Sequence, residues 1–200
     1  MPAGNIQILE RVLTSISEVT NDFIILSVHD DVDVLVKKDF KESVIKVLEG
    51  YNFRGHINGN PNCLYYSEPP IQYFDDNKCH IDLQTGLYYK GFLPNTLIPI
   101  DIQFQNYVFD TRIKTNDIWK YRLSNESNIV HTVCRIVFDK RKTPPHYKER
   151  LLKCMEDFNS DELLRVFNMA LFKFGKRAHE LILNKELDNI ANEYITYTEY

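Results

Sequence analysis

The stretch FIILSVHDDVDVLVKKDF, residues 23–40, constrains this chain more than any other. At its centre Asp31 and Asp33 flank a single valine and run straight into Val34-Leu35-Val36. Side chains alternate in an extended strand, so Asp31, Asp33 and Leu35 share one face while Val32, Val34 and Val36 share the other. One face is suited to burial; the other carries two carboxylates side by side. Like charges that close repel unless a cation lies between them, and hard oxygen donors of this kind suit magnesium or manganese. Taken without further context, the two aspartates could equally cap a turn ahead of a strand.

Composition sets wide bounds. Two hundred residues, 44% hydrophobic and 26% charged, are enough for one sizeable domain or two small ones. A net charge of −4 offers no general attraction to nucleic acid or to an anionic membrane. Basic residues are not interleaved with aromatics in a stripe, so a nucleic-acid partner is not expected. No apolar run is long enough to span a bilayer, and the N-terminus lacks the layout of a signal peptide. Cys63, Cys79, Cys134 and Cys154 form no Cys-x-x-Cys pair, which fits small apolar residues in a reduced, cytoplasmic compartment. His56, Cys63 and Cys79 lack the spacing of a zinc site. Oligomeric state cannot be read from these features.

In chain order, residues 5–18 read as an amphipathic helix with Ile6, Leu9, Leu13 and Ile16 along its stripe. Phe23-Ile24-Ile25-Leu26 reads as a buried strand, followed by the two-aspartate strand. Asp39 is placed to cap the next helix, with Glu42 as in a capping box, Val44, Ile45, Val47 and Leu48 as its apolar face and Gly50 as its stop. Asn58-Gly59 looks like a hairpin turn. Cys79–Leu83 reads as a strand with His80 and Asp82 on one face, and LIPIDIQF, 97–104, as a further strand or edge. From Ser124 the apolar spacing turns helical. Pro144-Pro145 then separates a helix at 146–157 from a long one at 161–183 capped by Ser160, and the tail from Lys185 is weakly helical. The expected class is α+β, a mixed sheet with flanking helices in 1–115 followed by a helical region in 116–200.

The chemistry needs a third acidic ligand, and Asp82 is the best candidate, ahead of Asp101. Asp31-Val32-Asp33-Val34-Leu35-Val36, then Gly50-Tyr51, then His80-Ile81-Asp82-Leu83 resemble the nucleotidyltransferase superfamily related to DNA polymerase beta, in particular its small DIDLLV-type members. The segment LSNESNIVHTVCRIVFDKRKTPPHYKERL is similar to the helical segment of those proteins, so the resemblance covers about residues 23–155. It implies transfer of a nucleoside monophosphate from an NTP to an unidentified small-molecule or macromolecular acceptor. Asp31, Asp33 and Asp82 would then bind Mg2+ or Mn2+, and Lys140 of the Asp139-Lys140 pair would meet phosphate, with Lys37 and Arg135 as weaker choices. The family's Gly-Ser phosphate loop is missing, and Ser27, the only small residue near its place, is the nucleotide-binding candidate there. A nucleotidyltransferase-fold protein that binds or regulates without turnover therefore stands as the alternative. Lys140-Arg141-Lys142 could be a solvated helix end, and His80 a hydrogen-bonded strand histidine rather than a ligand or base. His29 reads more simply as a turn residue than as a phosphate contact.

Overall fold

The computed structural model describes residues 3–198. Its strands are β1 (Phe23–Val28), β2 (Val32–Val36), β3 (Arg54–His56), β4 (Asn62–Cys63), β5 (Ile71–Phe74), β6 (His80–Gln84), β7 (Tyr88–Lys90), β8 (Thr96–Pro99), β9 (Ile113–Lys114) and β10 (Tyr121–Arg122). The helices are α1 (Ala3–Val19), α2 (Lys41–Gly50), α3 (Ile102–Asp110), α4 (Asn125–Cys134), α5 (Pro145–Cys154), α6 (Ser160–Leu171), α7 (Phe174–Leu183) and α8 (Ile190–Thr196). The class is α+β, as the sequence implies.

Seven strands form the main sheet in the order β3-β5-β6-β2-β1-β10-β9, and β4-β8-β7 form a smaller one. β1 and β2 make an antiparallel hairpin, β2 runs parallel to β6, and β10 runs parallel to β1. Alternation in β2 splits the core in two. Val32, Val34 and Val36 pack with Leu9, Val12, Leu13 and Ile16 of α1 and with Val44 and Leu48 of α2. On the opposite face Leu35 joins Ile24, Leu26 and a second cluster that runs through α3–α7 to Ala191 in α8. Asp33, on the Leu35 face of β2, therefore faces the helical half of the chain.

Several local expectations change. Ile6 is 41% exposed because it lies at the rim of the α1 arc, where Val12 completes the buried stripe instead. A 3-10 turn at Lys38–Phe40 precedes α2, so Phe40 occupies the N-cap without a side-chain bond and Asp39 does not cap. α2 does stop at Gly50, but the left-handed position that follows is Asn52, φ 63°. Gly59 has φ +71°. Yet Asn58-Gly59 joins strands of different sheets, since β3 pairs with β5 and β4 with β8, so it is not a hairpin turn. LIPIDIQF ends its strand at Pro99, and Asp101 then caps α3 by accepting from the Gln103 N–H at 2.7 Å. The long helix at 161–183 is broken by Phe172, φ 50° and ψ −125°, into α6 and α7. α6 is capped by Asn159, not Ser160, whose hydroxyl lies 3.0 Å from His179 Nε2. The tail is tied down, with Ile190 and Ala191 of α8 buried. No helix among the described residues is long and apolar enough to cross a membrane.

Candidate active site

The site grows out of one irregularity in β1. Ile25 pairs with Val34, but Ser27, not Leu26, pairs with Asp33, so Leu26 is an extra residue in the ladder. A bulge of this kind leaves one residue unpaired and re-aims its neighbours. It brings the Ser27 hydroxyl into register with Asp33, where it donates to Oδ2. It also frees the Leu26 carbonyl, which accepts from the Arg150 guanidinium of α5. Arg150 further donates to Asn128 Oδ1 at 2.5 Å.

On its other side β2 pairs with β6, and this ladder sets Asp33 directly opposite Asp82. The turn before β2 closes through the His29 N–H donating to the Asp31 carbonyl at 2.9 Å, which places Asp31 at the mouth of the same face. His80, two residues before Asp82, fills the space between them. Its Nε2 lies 2.6 Å from Asp82 Oδ1 and its Nδ1 3.9 Å from Asp31 Oδ2. One donor atom each from Asp31, His80 and Asp82 falls within 4.8 Å of the others. The remaining Asp33 oxygen faces Gln84 Nε2 at 3.4 Å.

The electrostatics follow from crowding and burial. Burial pushes the Asp33 carboxyl up; the Ser27 hydroxyl, Arg135 and Arg150 pull against it, and Asp31 adds to the rise. Asp82 is also raised, first by burial, with His80 opposing and Asp33 and Asp31 reinforcing. Burial works to lower the Arg135 pKa, but Asp139, Tyr147 and Asp33 outweigh it and leave it raised. Arg135 is bound to Asp139 at 2.9 Å. It lies in a π-helical turn, Arg135–Lys140, that extends α4. These carboxylates on one face suit a divalent cation, whose charge would relieve their mutual repulsion.

The other candidates separate. Lys37, at the far end of β2, pairs with Asp22 at 3.2 Å and sits over the Phe109 ring. Lys140 is exposed and acts on His146, whose pKa is lowered by burial, by His29 and by Lys140. The His29 and His146 rings are 5.8 Å apart beside the Asp31 turn. Asp101 is spent as the α3 cap. Arg150 and Gln84 escaped the sequence reading. Gln84 could have been found from its two-residue spacing beyond Asp82, but nothing in the sequence marks the bulge that recruits Arg150. A cavity of about 690 Å³ is lined by Gln72, Lys90, Phe92, Asp139 and Arg141 among others. Gln72 is the cross-strand partner of Asp82.

No family model and no curated protein matches the sequence. Among solved structures the chain is similar to the solution structure of the antibiotic-resistance factor ANT(2'')-Ia, with 12% identity, a TM-score of 0.46, and 93% of this chain and 92% of that chain covered. A likeness at that level carries no inference about activity.

Proposed function

We propose that this chain is a divalent-metal-dependent nucleotidyltransferase, moving a nucleoside monophosphate from an NTP to an acceptor with release of pyrophosphate. The observation that carries this reading is the register of β2 with β6, which sets Asp33 against Asp82 with Asp31 at the same edge. Asp31, Asp33 and Asp82 would hold magnesium or manganese, and such an ion would supply neutralisation of phosphate charge and activation of an attacking oxygen. Asp82, less buried than Asp33 and with its pKa also raised, takes the proton from the acceptor. Residues 1–115 supply the carboxylates. Residues 116–200 supply the facing cations, with Arg135 and Arg150 acting on Asp33 and Lys140 left for phosphate. Ser27 serves Asp33 rather than phosphate, and Lys37 stays with Asp22.

A second reading, a protein of the same fold without turnover that binds or regulates, is favoured by one observation. Asp33 and Asp82 each already have a protein donor, Ser27 and His80. Pyrophosphate release from each of the four common NTPs, with a panel of hydroxyl acceptors and Mg2+ or Mn2+, separates the two. Metal-dependent stabilisation by an NTP that disappears in Asp33→Ala supports the transferase; no thermal response to any NTP supports the binding module.

A further inference from the structure

We infer that His80 is itself a ligand of the bound cation and biases this site towards manganese over magnesium. The inference rests on the carboxylate site proposed above but does not need nucleotidyl transfer. Among the described residues, Asp31, His80 and Asp82 form a group with all three donor atoms within 4.8 Å of one another. The imidazole is fixed in place. Phe74, its cross-strand partner, stacks on it with ring centroids 4.2 Å apart and planes 23° apart. Asp82 Oδ1 meets Nε2 at 2.6 Å, which favours the tautomer protonated at that nitrogen and leaves the Nδ1 lone pair on the Asp31 side. Nδ1 and Asp31 Oδ2 are 3.9 Å apart. Two ligands with bonds of about 2.1 Å to one first-row ion lie roughly 3–4 Å apart, so this gap suits a cation between them.

A nitrogen donor changes which ion the site prefers. Magnesium takes oxygen and keeps much of its water, whereas imidazole adds affinity for first-row transition ions. Manganese shares magnesium's suitability for carboxylates and stands within that first-row series, so it gains from the mixed set. Asp33, directly opposite Asp82 in the ladder, completes the carboxylate set while keeping its bonds to Ser27 and Gln84.

The test uses the full-length protein without nucleotide. Loss of the free Mn2+ electron paramagnetic resonance signal gives the manganese affinity, and competition gives that of Mg2+. Pulsed measurements on protein labelled with 15N-histidine report whether a histidine nitrogen touches the metal. Manganese is expected to bind at least about tenfold more tightly than magnesium. His80→Gln and His80→Asn lose the nitrogen coupling and about 10- to 100-fold in manganese affinity with little change for magnesium, while His29→Gln keeps both. The inference is overturned if the wild-type protein shows no histidine coupling, or if the coupling survives in either His80 variant. Turnover is assayed apart: manganese bound through His80 without pyrophosphate release sinks only the transferase reading, and turnover without the coupling sinks only this one.

Discussion

The guanidinium of Arg150 donates to the carbonyl of Leu26, the one residue that the β1 bulge leaves outside the ladder. A single side chain from α5 thereby satisfies a buried backbone acceptor and stands as a counter-charge to Asp33. Arg150→Met keeps the apolar stem and removes both. The expected loss is about 2–3 kcal/mol, the range for a buried hydrogen bond to a charged group plus an orphaned carbonyl, read by urea denaturation. The Asp33 pKa should climb further in the variant. An unchanged midpoint would show that the bulge carbonyl finds another donor.

Asp33 and Asp82 predict an unusual pH dependence. Both pKa values are raised in the folded state, so their contribution to stability is fully present below the unfolded value, near 3.8, and is lost as pH rises through the folded values. Without metal, melting temperature should fall over that window, and added Mn2+ or Mg2+ should offset the fall at neutral pH. Asp33→Asn, whose amide oxygen still accepts from Ser27 and whose NH2 meets the Gln84 side chain once that amide turns its oxygen inward, should raise metal-free stability at pH 7 by about 1 kcal/mol and remove the metal-dependent NTP response expected of a transferase. A variant less stable than wild type in chelator would contradict this account.

Glu68 supplies a contrasting case. The Lys38 bond holds its carboxyl down to about 2, with Lys41 adding to the effect against burial. Lys38 lies 2.6 Å away and Lys41 3.0 Å away. The stability this clamp provides is present above the unfolded value, near 4.5, and is lost as pH falls towards 2. Glu68→Gln should cost about 1 kcal/mol at pH 7 and only a small part of that at pH 2, measured by thermal melts across that range.

Phe172 tests a backbone term. It occupies φ 50°, ψ −125° between α6 and α7 with the residue 65% exposed, a conformation that glycine adopts without a Cβ penalty. Phe172→Gly should raise stability by about 1 kcal/mol despite deleting an aromatic side chain. Destabilisation instead would mean that the ring contributes more at its exposed position than the strain costs.

What the sequence made legible was periodic or charged. The alternation of Asp31 to Val36 sets the two faces of β2, and the His80–Asp82 spacing places both on one face of β6. Side-chain chemistry that depends on register was hidden. A two-residue pattern cannot reveal that Leu26 is extra, so it could not aim Ser27 at Asp33 or summon Arg150. Asp101 read as a strand residue because Pro99 and the apolar run around it mask a helix start, and only its bond to the Gln103 N–H reveals the cap. Phe172 carries no breaker signal, so the interruption of 161–183 is a tertiary effect of packing α7 back on α6.

The pairing of β10 with β1 has a practical consequence. A fragment cut at residue 115 would strip β1 of its outer neighbour and bare a row of unsatisfied amides and carbonyls beside an apolar strand, a template for self-association. Shortened versions made for crystallisation or binding assays would do better to extend past Arg122, so that this border of the sheet stays closed.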